Sequence, residues 1–237
     1  MIAYREFDKI VVKVSGESLG SLDPALFRDV VKPLAEVHSL GVKLGVVVGG
    51  GNLLRGNQAH LWGVPRDTLD IAGMLATGVN ASLLVGVLQS FDIPAQLFSR
   101  GPCSSSGTPY EPTEVAASFE AGNACVIAGG LGVPGISTDV AAVSLASDVG
   151  AEALFMSKFG VDGVYDRDPR LHPNAHFLPE LSASYALGEN LAIMDREALK
   201  LARAHGICIR VVPASDTRAI PNAICTPGGV GSVVWPR

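Results

Sequence analysis

Short apolar runs of strand length alternate along this chain with longer helix-like segments, and two of those runs empty into glycines. That order dictates a mostly parallel sheet covered by helices on both faces, because parallel neighbours are joined through a crossover that lies on the sheet. The sharpest instance is Val46-Val47-Val48-Gly49-Gly50-Gly51-Asn52-Leu53-Leu54-Arg55-Gly56. A buried strand opens there into three glycines whose backbone N–H groups can close on anionic oxygens, and Arg55 can add a planar, bidentate contact. A tight strand-to-helix turn that binds nothing is the plain alternative.

The pattern predicts strands at 9–15, 43–48, 94–98, 124–128, 153–157, 207–212 and 232–235. Helices are predicted at 24–40, 67–90, 114–120, 137–149, 195–205 and 217–223, the first with Asp23 as N-cap and Gly41 as C′. The stretch 101–112 reads as a surface loop, and the Asp162-Gly163 pair as a turn or hairpin. At 237 residues with no strong linker, the chain is expected to form a single domain over 1–237.

Composition narrows the function. With 18 Lys+Arg against 23 Asp+Glu the chain lacks the basic footprint of a general nucleic-acid or anionic-membrane binder, so an anionic substrate must be met by local positive charge. Cys103, Cys125, Cys208 and Cys225 are too far apart for a zinc spacing, and Cys125 and Cys208 read as core residues in a reducing cytosol. The five histidines show no ligand spacing, and no metal site is expected in the protein. The charged N-terminus argues against a signal peptide, and no apolar run of membrane-spanning length is apparent, so the expected compartment is the cytoplasm.

In open α/β sheets ligands gather beyond the carboxyl ends of the strands. Here those ends carry Lys13-Val14-Ser15-Gly16-Glu17, the Gly49 loop, the Gly129-Gly130-Leu131-Gly132 loop, and Ser157-Lys158 followed by aspartates. Amides, lysines and carboxylates at one sheet edge are what phosphoryl transfer requires: donors for the transferring group, and carboxylates to hold Mg²⁺ or position lysines. Lys13 lies within an apolar strand, where its desolvation calls for an anionic partner; an edge-strand lysine reaching to water is the alternative. Asp139 also suits a first helical turn, and Asp162, Asp166 and Asp168 also suit turns. No P-loop and no dinucleotide-binding fingerprint after the first strand occurs.

Taken together, Lys13-x-Ser15-Gly16-Glu17, Gly49-Gly50-Gly51-Asn52-x-x-Arg55-Gly56, Asp70-x-x-Gly73-Met74-Leu75-Ala76-Thr77-x-x-Asn80-Ala81, Ser137-Thr138-Asp139, Val161-Asp162-Gly163-Val164-Tyr165-Asp166-x-Asp168-Pro169 and Met194-Asp195-x-x-Ala198 resemble the bacterial uridylate (UMP) kinases of the amino acid kinase superfamily. The resemblance spans essentially the whole chain. It implies a three-layer α/β/α sandwich with a mostly parallel sheet, a homohexamer, and ATP with Mg²⁺ as the phosphoryl source for UMP in pyrimidine nucleotide biosynthesis. It places Lys13, Arg55 and Asp139 in catalysis, with Asp139 orienting Lys13. Lys13, Ser15, Gly16, Gly51, Arg55, Lys158, Phe159, Tyr165 and Asp168 fall on the ATP side, and Gly50, Asp70, Leu131, Gly132, Val133, Pro134, Gly135, Ile136, Ser137 and Thr138 on the UMP side.

The chain departs from the family pattern where two aromatics usually precede the Ser/Thr-Thr-Asp motif; it has Gly135-Ile136 instead. Each lost ring removes ~1 kcal/mol of base contact. It also has a short 18–24 stretch, Phe159 at a usually polar position and Arg170 where lysine is common. A paralogue acting on another small phosphate or phosphonate, or a non-catalytic nucleotide-binding protein, are the alternative readings.

Overall fold

The computed structural model of the chain describes residues 6–54, 58–226 and 229–237. Its strands are β1 (Lys9–Val14), β2 (Lys43–Val48), β3 (Ala95–Ser99), β4 (Thr108–Pro109), β5 (Ala124–Ala128), β6 (Ala153–Lys158), β7 (Val164–Tyr165), β8 (Phe177–Leu178), β9 (Glu180–Ser182), β10 (Cys208–Pro213) and β11 (Ser232–Trp235). The helices are α1 (Pro24–Ser39), α2 (Ala59–Trp62), α3 (Arg66–Gln89), α4 (Pro112–Glu120), α5 (Thr138–Asp148), α6 (Ala183–Gly188), α7 (Arg196–Ala204) and α8 (Ala219–Cys225).

Among the described residues nine strands form one sheet in the order β4-β3-β5-β2-β1-β6-β10-β11-β9, and within it only β10 and β11 pair antiparallel. The β-branched runs explain the centre. β1, β2, β5 and β6 are buried on both faces, as strands between two helical layers must be, and each fully buried Val or Ile contributes about 1.5–3 kcal/mol of hydrophobic stabilisation. One face packs on α1, α3 and α8 through Val31, Leu34, Leu84, Leu88 and Ile224. The other packs on α4, α5, α6 and α7 through Phe119, Ala142, Leu145, Ala186 and Leu199.

Local signals set the helix ends. The Asp23 carboxylate accepts the Ala25 N–H at 2.8 Å, Pro24 fills the first turn, and Gly41 at φ 82° ends the connection beyond α1. Ser137 caps α5 by accepting the Val140 N–H, and the small Ala141, Ala142 and Ala146 let α5 pack onto β1 and β2. All four cysteines are free, and Cys103 is as buried as Cys125 and Cys208.

Two expectations are corrected. The Asp162-Gly163 pair is not the tip of a hairpin: it precedes β7, which pairs antiparallel with β8 across residues 166–176, while Val164 N–H donates to Ser232 Oγ at 2.8 Å. Contrary to the expected lack of a long apolar run, α3 is long and apolar enough to cross a membrane by length and composition. Its apolar residues divide between two sides. Leu69, Ala76, Ala81, Leu84 and Leu88 are buried, whereas Ile71, Leu75, Val79 and Leu83 are 42–47% exposed. The 101–112 segment holds a short 3₁₀ turn at Gly101–Cys103 and β4.

Candidate active site

Side chains alternate across β1, so Val11 and Lys13 face α5 while Val12 and Val14 enter the opposite core. β1 lies mid-sheet, with Lys13 opposite Val47 on one side and Met156 on the other, so an edge-strand route to water is closed to it. The ammonium instead meets Asp139 in the first turn of α5, Nζ to Oδ1 3.1 Å, with side-chain exposures of 19% and 15%. Asp139 Oδ2 accepts the Asp195 N–H at 3.0 Å, and Asp195 in turn caps α7 by accepting the Glu197 N–H. The carboxylate is thereby held from two sides, and Lys13 with it.

Two cavities open at the carboxyl edge of the sheet near this pair. The first, of about 520 Å³, is lined by Lys13, Ser15, Lys158, Phe159, Tyr165 and Asp168, all expected on one side of the site, and by Arg170 and residues 189–193. Lys158 donates to the Ala192 carbonyl at 2.7 Å. Burial lowers its pKa, Asp139 works against that, and the neighbouring Lys13 and Arg170 reinforce it. Four cations, Lys13, Lys158, Arg167 and Arg170, line this cavity beside the carboxylates of Glu17, Asp166, Asp168 and Glu189, and they supply the local positive charge that an anionic ligand requires. Arg170 Nε and Nη2 grip the Asp168 carboxylate at 2.9 and 2.7 Å, which together with the Arg170 backbone N–H holds its pKa down at about 2. Asp166 serves as a turn former, accepting the His176 N–H, and Tyr165 donates to Asp162 at 2.6 Å.

The second cavity, of about 300 Å³, is lined by Gly50, Asp70, Val133, Gly135, Ile136, Ser137 and Thr138 from the predicted set, joined by Gly51, Arg66, Thr77 and Asp195. Gly51, expected on the ATP side, lines this cavity with Gly50 while its nitrogen lies against Gly16, so it stands between the two sides. Leu131 packs against the core and Gly132 against Gly101, so neither lines the cavity, and Pro134 is likewise outside its lining. Gly16 lies under the loop: a Cβ there would meet Asn52 Oδ1 and the Gly51 nitrogen at 2.7 Å. Arg55 lies outside the described residues.

Residues without a predicted role shape both cavities. Asn80, fully buried, donates to the Gly49 carbonyl at 2.7 Å and to Asn52 Oδ1 at 2.8 Å, and Asn52 donates to the Gly20 carbonyl at 2.8 Å. This network ties the glycine loop to α3 and to the turn after β1. At Gly50 a Cβ would stand 2.5 Å from the Gly73 carbonyl, so only glycine lets α3 approach the loop this closely. Thr77 Oγ1 accepts the Gly129 N–H at 2.8 Å, and Arg66 pairs with Asp70 at 3.6 Å one turn along α3. The i, i+4 spacing of Arg66 and Asp70 and the capping position of Asp195 were the available sequence signals; for Thr77 there was none beyond its place in a motif.

The chain belongs to the amino acid kinase family, whose sequence profile matches residues 8–213, and its mostly parallel sheet between helical layers is the amino acid kinase fold. More particularly, it is 34% identical to the uridylate kinase of Frankia alni over 235 residues, covering 97% of this chain and 91% of that one. It is 34% identical to the uridylate kinase of Limosilactobacillus reuteri over 234 residues, covering 97% and 93%. The crystal structure of UMP kinase from Bacillus anthracis superposes with a TM-score of 0.92 at 26% identity, covering 98% of this chain and 97% of that one. The structure of UMP kinase from Ureaplasma parvum gives 0.89 at 27% identity, covering 96% and 98%.

Proposed function

We propose that this chain transfers the γ-phosphate of ATP to UMP, giving ADP and UDP. The observation that carries the reading is the Lys13–Asp139 pair at the sheet edge where a cavity lined by Lys13 and Lys158 and a glycine-floored cavity open. The similarity to uridylate kinases over nearly the whole chain supports the choice of acceptor.

In this reading ATP occupies the cavity of Lys158, Phe159, Tyr165 and Asp168, and UMP the cavity of Gly50, Asp70 and residues 133–138, with Asp70 accepting from ribose hydroxyls. An oxygen of the UMP phosphate bonds to the γ-phosphorus, the bond to the β,γ-bridging oxygen breaks, and its electron pair leaves on ADP. The attacking oxygen is already anionic, so no general base is needed and catalysis is positioning plus charge neutralisation. Lys13, oriented by Asp139, neutralises the transferring group, with Arg55 and the amides near Ser15, Gly16 and Gly51 as further donors. Leu131, Gly132 and Pro134 give the acceptor loop its shape.

Among the described residues no group of three or more His, Cys, Asp or Glu could hold a metal ion. Mg²⁺ would enter with the nucleotide phosphates in the cavity of Lys13, Lys158 and Asp168, and would supply further neutralisation of their charge. We further take 1–237 to be one domain, the compartment to be the cytoplasm, where free thiols persist, and the assembly to be a homohexamer. The exposed apolar stripe of α3 supports self-association.

The test is ADP production from ATP and Mg²⁺ with UMP, CMP, dUMP, AMP, carbamate and small phosphonates, against a no-acceptor control. Selective turnover of UMP is expected. Turnover of another acceptor with silence on UMP would overturn the acceptor, and silence throughout would overturn the enzyme.

A further inference from the structure

The acceptor-side loop between β5 and α5 rests on residues that line neither cavity. Gly129, at φ 81°, lies so close to Arg100 that a Cβ would stand 2.1 Å from the Arg100 carbonyl oxygen, and Arg100 N–H donates to the Ala128 carbonyl at 3.1 Å. Three residues further, a Cβ on Gly132 would meet the Gly101 nitrogen at 3.1 Å. The loop is thus laid directly on the backbone of residues 100–101. Whatever fixes Arg100 fixes the seat of the loop.

Arg100 is held by its own side chain. The guanidinium carbon sits 3.4 Å over the centre of the Tyr110 ring, and Nη2 is 3.6 Å from Asp148 Oδ2. Tyr110 OH donates to that same oxygen at 2.7 Å. Asp148 is the last residue of α5, where helix carbonyls gather negative charge, so a carboxylate there is unfavourable without a cation and a donor beside it. Arg100 and Tyr110 supply both. Burial and the Asp148 carboxylate push the Tyr110 phenol up, so it remains a donor across the working pH range. The cluster joins the exit of β3, the end of β4 and the far end of the helix whose first turn carries Asp139.

We propose that Arg100, Tyr110 and Asp148 form a clasp that positions the 129–137 loop and so sets acceptor affinity, without touching either nucleotide. The proposal rests on UMP occupying the Gly50–Asp70 cavity. It makes Arg100 and Tyr110 positioning residues: their loss loosens the acceptor wall and leaves the Lys158–Asp168 cavity untouched.

The experiment compares the full-length parent with Tyr110→Phe, Arg100→Met and Arg100→Lys. Tyr110→Phe and Arg100→Met are expected to raise the KM for UMP about fivefold each, with kcat and the KM for ATP within about twofold of the parent. Arg100→Lys keeps the charge but not the flat stacking surface, and recovers only part of the loss. The same two variants are expected to speed amide hydrogen exchange at 129–137 over the parent, with the β1 and β6 amides unchanged. An unchanged KM for UMP, or a parallel rise in both KM values, overturns the clasp. If the parent itself does not turn over UMP, the proposed function has failed, and hydrogen exchange alone decides: unchanged protection of 129–137 overturns the clasp.

Discussion

Lys13 shows how one residue draws its chemistry from its place in a strand. Set in a central strand between Val12 and Val14, it reaches solvent only through the cavity it lines and pairs with Asp139 at 3.1 Å. Such a cation costs stability until an anion meets it, and repays that cost in a transition state that gathers negative charge. Lys13→Ala is therefore expected to lower kcat about 10²–10³-fold while ATP binding, measured by calorimetry, weakens by less than about tenfold. Loss of binding as large as the loss of rate would place Lys13 in ground-state binding alone. The lysine was legible in the sequence because it interrupts an apolar run. Its partner was not legible from spacing, since 126 positions separate the two and only the packing of α5 on β1 joins them.

At the level of elements, boundaries marked by β-branched runs and glycines are where the sequence expected them: β2, β5 and β11 match to the residue. The misses are short elements, two to six residues long. β9 and α6 follow no strong periodicity, and β9 is held by register with β11, which lies some fifty positions on. The Asn52–Asn80 network is likewise tertiary. Asn80→Ala removes the donor to the Gly49 carbonyl and to Asn52 inside the core, and is expected to cost about 1–3 kcal/mol in urea unfolding, with the loss of glycine-loop order read as a raised KM for both nucleotides. A second prediction concerns the 166–176 connection. Asp168 is held at about 2 against an ordinary 3.8, so its ion pair with Arg170 contributes fully above pH about 4 and is lost as pH falls through about 2. In Arg170→Ala the Asp168 carboxyl is expected to titrate higher than in the parent, and still below its ordinary value because the backbone N–H at position 170 remains, by carbon-detected NMR. An unmoved titration would mean that the backbone N–H, not the guanidinium, sets it.

For the whole molecule, α3 is the element with two audiences. One side closes the core against β3 and β5; the other presents Ile71, Leu75, Val79 and Leu83 at intervals of four, a stripe that isolated chains rarely leave bare. Leu75→Asp with Val79→Asp is expected to lower the assembly measured by light scattering after size exclusion while far-UV circular dichroism stays unchanged. An assembly unaffected by both charges would exclude this stripe as the contact. Such a surface is easily taken from sequence for core, because periodicity reports that a side is apolar and not what covers it. The two-cavity arrangement was legible only in part for the same kind of reason: the glycines announced a loop, but the cavity that Gly51 would line depended on how α3 closes over it.

The loop between β5 and α5 is pinned at Gly129 by Thr77 and Arg100 and at Ser137 by the start of a helix, while Val133 and Ile136 stand exposed on the span between. An arch fixed at both feet lets its crown vary. Under the proposed function, exchanges at Val133 and Ile136 alter what the acceptor meets without disturbing Lys13 or Asp139, so descent with modification can retune the choice of acceptor in small steps while the machinery of transfer is inherited whole.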